Sequence, residues 1–268
     1  MAKGDFSSLE QSIRGEVEGD VYFDPFTRGR YATDASIYQI NPVGIMVPKS
    51  IQDVKAAISL TSEEGFSLLP RGGGTSQCGQ TVNSSLVIDT SKYLNSLINL
   101  NVDELTVTVE PGIVLDELNN FLKPFGLWFP VDISTSAQAT IGGMVGNNSC
   151  GARSIKYGTM RENVMEIKAV LPNGTESWFG PADRTYKNDL SANLKHSLLT
   201  LGDKYSAAIK QNFPKVMRRV GGYNLDALIK EEGYSPNFSH VLVGSEGTLA
   251  FSSSIKLKLA SLPKHSTL

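Results

Sequence analysis

The chain has 268 residues, 40% of them hydrophobic, which is enough to bury a sizeable core as one large domain or two close lobes. A net charge of −2 gives no overall electrostatic footprint for nucleic acid, and no apolar run approaches the roughly 18 residues needed to span a bilayer. Two cysteines and three widely spaced histidines support neither a disulfide framework nor an iron–sulfur cluster, and they predict no metal site. The N-terminus from Met1 to Asp5 lacks the hydrophobic stretch of a signal peptide, so the expected location is cytoplasmic.

In chain order, residues 1–40 read as an N-terminal extension. Gly44 to Val47 reads as a strand. Ser50 and Asp53 form a capping box ahead of a helix carrying Ile51, Val54, Ala57 and Ile58, which Gly65 ends. Phe66 to Pro70 and Leu86 to Asp89 complete a β-α-β unit. Between those strands lies Arg71-Gly72-Gly73-Gly74-Thr75-Ser76. Three glycines at the carboxyl end of a parallel strand let backbone N–H groups converge on an anionic oxygen, with hydroxyls from Thr75 and Ser76 beside them. A diphosphate-bearing cofactor is the expected guest. The dinucleotide fingerprint G-x-G-x-x-G fails at Gln77, and the triphosphate loop G-x-x-x-x-G-K-[ST] fails at Gln80, where its lysine would stand.

Farther along, Thr106 to Val109 reads as a strand ended by Pro111-Gly112, and Val114, Leu115, Leu118, Phe121, Leu122 and Phe125 form an apolar helical stripe. Those aromatics, with Trp128 and Phe129, read as core, and Leu127 to Pro130 as a return to the sheet. Met165 to Leu171 and Thr175 to Phe179 flank Pro172-Asn173-Gly174 as a hairpin. Residues 183–232 look largely helical, with Lys215, Arg218 and Arg219 as a solvated face. Val241 to Val243 and Phe251 to Leu259 read as a closing strand pair.

Two further glycine-rich segments fall in this half. One is Thr140-Ile141-Gly142-Gly143-Met144-Val145-Gly146-Asn147-Asn148-Ser149-Cys150-Gly151, followed by Tyr157-Gly158-Thr159. The other is Gly244-Ser245-Glu246-Gly247-Thr248. Segments so poor in side chains build no core by themselves, but they admit close approach to a flat ligand, and three of them imply one extended ligand. Cys78 and Cys150 read as small thiols filling tight turns.

The order Pro-x-Gly-Gly-Gly-Thr-Ser, then Ile-Gly-Gly with Asn-Ser-Cys-Gly and Tyr-Gly-Thr, then Gly-Ser-Glu-Gly-Thr-Leu, resembles the FAD-binding domain of the FAD-linked oxidases. That group includes vanillyl-alcohol oxidase and the D-lactate and glycolate dehydrogenases. The likeness spans about residues 30–260. Tyr31-Ala32-Thr33-Asp34-Ala35-Ser36 and Arg218 to Asp226 are similar to the large bacterial FAD and iron–sulfur D-2-hydroxyacid dehydrogenases, which act on D-lactate, glycolate or D-2-hydroxyglutarate.

The resemblance implies an α+β, PCMH-type FAD-binding domain of two lobes. Residues 41–102 would form a small parallel β-α-β lobe. Residues 103–262 would form a larger mixed or antiparallel lobe with a helical insertion at about 183–232. Residues 263–268 would begin a linker to a missing cap. It also implies non-covalent FAD, because Thr75 stands where covalent members carry histidine and no cysteine opens the second loop. Arg71, Gly72, Gly73, Gly74, Thr75 and Ser76 would hold the pyrophosphate. Gly142, Gly143, Asn148 and Gly151 would line the rest, with Ser136 and Thr140 hydrogen-bonding nearby. Glu246, Gly247 and Thr248 would close one end, and Asp132, Ile141, Tyr157 and Gly158 complete the implied set.

The implied activity is oxidation of a small D-2-hydroxy acid by hydride transfer to FAD. It would need a cap or an iron–sulfur domain or subunit, and such a partner could hold the chain at the inner membrane. No catalytic residue is assigned. The alternatives are an FAD-binding module without turnover of its own and the flavin subunit of a molybdenum hydroxylase.

Overall fold

The computed structural model describes residues 6–231, 233 and 235–263. The first five residues, His265 and nearly all of the expected linker at 263–268 lie outside them. Among the described residues no helix is long and apolar enough to cross a membrane.

The first lobe is a four-stranded sheet built from β1 (Asp20–Tyr22), β2 (Gly44–Val47), β3 (Leu68–Arg71) and β4 (Leu86–Asp89), with helices α1 (Ser7–Glu16), α2 (Pro25–Arg30) and α3 (Ile51–Glu63). Strand order is β1-β2-β4-β3: the last three run parallel and β1 pairs antiparallel to β2. Every residue of β2 and β4 is buried, as central strands of a covered parallel sheet require.

Helix α3 starts as expected, with Ser50 Oγ accepting from the Asp53 N–H at 3.3 Å. The return half of the capping box is not made. Asp53 is buried, and its carboxylate instead accepts from the N–H groups of Glu18 and Lys49 at 3.0 and 2.8 Å, tying the entry of α3 to the N-terminal segment. Gly65 ends the helix at φ +74°. The stretch read as an extension is integral to this lobe: it supplies β1, and Leu9 and Ile13 of α1 are completely buried in the core.

The second lobe is a five-stranded antiparallel sheet in the order β5-β6-β10-β8-β9. Along the chain its elements are β5 (Leu97–Asn101), β6 (Thr106–Val109), α4 (Leu115–Leu122), β7 (Leu127–Trp128), α5 (Ile141–Asn147), α6 (Ser154–Tyr157), α7 (Met160–Asn163), β8 (Val164–Val170), β9 (Glu176–Phe179), α8 (Ala192–Asn212), α9 (Ser239–Leu242), β10 (Phe251–Lys258) and β11 (Ala260–Ser261). Because β5 belongs to this sheet, the lobes meet between residues 89 and 97 rather than at 102. Val170 and Phe251 bury in the first lobe's core, and Lys55 reaches Glu176 at 3.3 Å across the junction.

Several expectations change here. Phe121 and Phe125 are half exposed and pack on each other at 5.8 Å, so of the four aromatics only Trp128 and Phe129 are core. Leu127 and Trp128 pair with β11 in a separate ribbon, not with the main sheet. The β8–β9 hairpin forms, with positive φ at Gly174 and not at Asn173. Among the described residues of the insertion at 183–232, helix is confined to α8 and a 3₁₀ turn at Leu225–Leu228, since Pro214, Gly221 and Gly222 interrupt the rest. Val241 to Val243 is no strand: Asn237 Oδ1 accepts from the Ser239 N–H and Oγ, which starts the helical turn α9 instead.

Candidate functional site

A cavity of about 440 Å³ lies where the lobes meet, and all three glycine-rich segments line it. That volume falls in the range of ligand clefts. The first segment leaves the carboxyl end of β3. Its glycines do two different jobs: Gly74 adopts φ +65°, whereas a Cβ on Gly72 would meet Thr140 Oγ1 at 2.0 Å and one on Gly73 would meet the Gln138 carbonyl oxygen at 2.2 Å. The missing side chains therefore let the first segment lie directly on the second. Ser76 joins them, accepting from Asn147 Nδ2 at 3.5 Å.

The second segment forms α5. Thr140 caps it, its Oγ1 accepting from the Gly143 N–H at 3.3 Å, and Asn148 ends it in the left-handed region at φ 49°. Gly142 packs on Pro111, where a Cβ would meet the proline Cβ at 2.7 Å. The third segment clamps α5 from the other side, as the N–H groups of Gly244 and Glu246 donate to the carbonyls of Val145 and Gly146 at 2.9 and 3.0 Å. Glu246 holds φ +53° between Gly244 at +82° and Gly247 at +75°, an uncommon conformation for a non-glycine residue.

Of the expected site residues, Arg71, Gly72, Gly73, Gly74, Thr75, Ser76, Thr140, Gly142, Gly143, Glu246 and Gly247 line the cavity. The others stand outside the lining. Asp132 accepts from the Arg153 N–H at 3.0 Å, and its carbonyl lies where a Cβ on Gly151 would fall. Ser136 accepts from the Asp116 N–H through its carbonyl, and Ile141 is fully buried core. Asn148 Oδ1 is taken by Thr159 Oγ1 at 2.9 Å and the Arg161 N–H at 3.0 Å. Tyr157 packs edge-on against Trp128 at 5.5 Å, and Gly158 turns at φ +78° beside Glu162. Thr248 Oγ1 donates to the Ser245 carbonyl at 2.5 Å.

Residues the sequence reading did not assign also line the cavity, among them Gln80, Thr81, Thr90, Ser134, Thr135 and Cys150. A near-miss to a phosphate loop flagged Gln80. Nothing local distinguishes Thr90 or Ser134, which arrive by tertiary folding alone.

Arg71 is less free than its place suggests. Its Nη1 donates to the carbonyls of Tyr31 and Thr81 at 3.1 and 3.0 Å, its Nη2 to that of Thr33 at 2.9 Å, and its guanidinium stacks over the Tyr31 ring at 5.2 Å. Burial pulls its pKa below the usual arginine value. Burial also pushes the Tyr31 hydroxyl up, reinforced by its 2.6 Å hydrogen bond to Asp89. Together these contacts pin residues 31–34 to the first glycine segment.

Behind the third segment sits an ion-pair cluster. Asp226 accepts from Arg161 at 2.8 Å and from Arg219, whose guanidinium also lies over the Phe213 ring. Arg219 is therefore largely buried and paired, not part of a solvated face. Burial pushes the Asp226 carboxyl up, but Arg161 and Arg219 outweigh it and hold the group below the usual carboxylate range. His240 Nε2 lies 3.2 Å from the Val164 carbonyl. Burial, with Arg161 nearby, lowers its pKa to about 4, so the ring is neutral at physiological pH. The segment joining Arg219 to Asp226 touches the cleft's back wall: the carbonyls of Gly222 and Val220 approach Gly244.

Residues 42–180, just over half of the chain, match the FAD binding domain family, and the chain belongs to that family. It is 35% identical over 263 residues to D-2-hydroxyglutarate dehydrogenase of Haemophilus influenzae and 36% identical over 269 residues to that of Escherichia coli, covering 94% and 96% of this chain. It spans about a quarter of the length of these relatives, 26% in each case. Over 59% of the chain it is 34% identical to a glycolate oxidase subunit of Bacillus subtilis, covering 35% of that protein. Two solved structures of alkyldihydroxyacetonephosphate synthase share the fold, with TM-scores of 0.68 and 0.69 at 19% and 18% identity, over 98% of this chain and 42% and 45% of theirs.

The cleft fits such a cofactor on its own terms. Its walls present bare backbone at Gly72 to Gly74 and Gly142 to Gly143, with the Thr75 and Ser76 hydroxyl residues beside them.

Proposed function

We propose that this chain is the FAD-holding part of a dehydrogenase for a D-2-hydroxy acid and that it binds FAD non-covalently in the cleft between the lobes. The observation that carries the reading is the convergence of three glycine-rich segments on one cavity. In this reading the N–H groups of Gly72 to Ser76 and the hydroxyl of Thr75 take the pyrophosphate. Gly142, Gly143 and the turn at Glu246 receive the rest. Among the described residues no histidine lines the cavity, which supports a cofactor held by hydrogen bonds and shape; Cys150, the one cysteine among the described lining residues, follows the end of α5. When bound, the flavin ring supplies a hydride acceptor for the carbon that bears the substrate hydroxyl.

The substrate class follows the relatives named above, with D-2-hydroxyglutarate as first candidate. Its carboxylates need cations. Among the described residues Arg71 and Glu246 are the charged ones in the cavity wall, and Arg71 already serves three carbonyls. This favours a module whose carboxylate clamp comes from a cap, further domain or partner. The FAD-loaded chain, mixed anaerobically with D-lactate, glycolate or D-2-hydroxyglutarate, should keep its flavin absorption, while dithionite bleaches it. Bleaching by any of the three acids would show a complete site here and overturn the external clamp.

A further inference from the structure

We infer that Tyr223 is a cofactor-positioning residue: acting through Thr248, it holds the third glycine-rich segment in the shape that receives FAD. This rests on the FAD reading above and deepens it. Ser245, Glu246 and Gly247 line the cavity, and Thr248 closes their turn, its N–H donating to the Ser245 carbonyl at 3.0 Å. The two central residues of that turn both hold positive φ, +53° at Glu246 and +75° at Gly247. Glycine takes such a turn freely, whereas glutamate is strained in it, so without support the turn relaxes.

The support can be followed atom by atom. Thr248 Oγ1 has one proton, and it goes to the Ser245 carbonyl at 2.5 Å. In the 2.8 Å contact between Tyr223 Oη and Thr248 Oγ1 the tyrosine is therefore the donor. Hydrogen bonds thus run from Tyr223 through Thr248 onto the carbonyl that opens the turn. Tyr223 itself stands on a fixed base. Its neighbour Asn224 is buried, donates to the Val243 carbonyl at 2.8 Å, and accepts from Arg161 and Arg219 at 3.4 Å each. Tyr223 is 44% exposed, so its hydroxyl does little for the core. When that hydroxyl is lost the strained turn relaxes, the cofactor-free chain gives up little stability, and the cost of restoring the turn falls on FAD binding.

The test is a double-mutant cycle of Tyr223→Phe and Thr248→Val, read as FAD affinity by flavin fluorescence. Tyr223→Phe keeps the ring and should weaken FAD about fivefold, the worth of one hydrogen bond. In a chain that already carries Thr248→Val, the same change should alter affinity by less than about twofold, because its path to the turn is cut. Thr248→Ser keeps the hydroxyl and should restore binding to within about twofold of wild type. Cofactor-free Tyr223→Phe should melt within about 2 °C of the wild-type chain.

If Tyr223→Phe binds FAD like wild type, or if its loss is as large in the Thr248→Val chain, Tyr223 does not act through Thr248 and the inference is overturned. A larger fall in the melting temperature of cofactor-free Tyr223→Phe would make the hydroxyl a structural support alone and would overturn it as well. A wild-type chain that takes up no FAD overturns this inference and the reading beneath it.

Discussion

The cleft at Gly72 to Ser76 and the ion-pair cluster around Asp226 lie at opposite ends of one turn: Gly247 packs on Pro70 beside the cleft, and Gly244 meets the segment that carries Arg219 and Asp226. They are held by opposite means. In the cleft, backbone lies on backbone because side chains are absent, and the exposed amides remain for a ligand. In the cluster, long side chains meet in a half-buried space and satisfy one another, leaving nothing over. A binding wall needs unspent polar groups. A supporting wall needs spent ones.

The largest expected effect tests the first half of this contrast. Gly73→Ala would place a methyl 2.2 Å from the Gln138 carbonyl, forcing the two glycine segments apart at a cost of about 3 kcal/mol in chemical denaturation. A loss under about 1 kcal/mol, at the low edge of overpacking costs, would mean that the segments yield easily.

Next comes the pH dependence of the cluster. His240 has its pKa lowered to about 4, so between that value and its ordinary 6.5 the unfolded chain takes up a proton that the folded one refuses. Stability should therefore fall by roughly 2 to 3 kcal/mol as pH drops through that window, and His240→Gln should flatten the curve there. Asp226, held low, contributes stability above the unfolded carboxylate range and loses it only as pH falls through its own depressed value, so the two groups act in different windows.

Removing the cluster's centre with Asp226→Asn leaves the largely buried Arg219 without its carboxylate partner, while Arg161 keeps Glu162 at 3.0 Å. It should cost about 2 kcal/mol, less than for a fully buried pair because each partner keeps some solvent. FAD affinity should change little if the cluster only supports the wall. The smallest effect has the opposite sign. A Cβ on Gly146 would find its nearest neighbour at 3.7 Å, so Gly146→Ala should stabilise α5 by about 0.5 kcal/mol, where Gly73→Ala destabilises.

The same contrast explains what could be read in the chain beforehand. The cleft was legible because glycine runs after a strand have few structural excuses, and β2, α3, β3 and β4 follow from local periodicity and caps. The cluster was not. Arg219 looks like a surface cation until Asp226 and Phe213 close around it, and Arg71 looks like a phosphate clamp until three carbonyls from distant segments claim its donors. Strand β5 escaped notice because Leu97 to Asn101 is short and interrupted by asparagine, and only its pairing with β6 defines it. Asn148 and Ile141 sit in the right motif, but their side chains serve the fold behind the wall. The motif marks the segment, and folding decides which atoms face the ligand.

The central claim, that the cleft binds FAD without a covalent bond, is tested most directly by loading the purified chain with FAD, removing excess, and recording absorption before and after acid precipitation. The account predicts bound flavin bands that pass completely into the supernatant and return as FAD. Flavin that stays in the pellet would contradict the non-covalent reading, and a chain that remains colourless after incubation with FAD would contradict the claim itself.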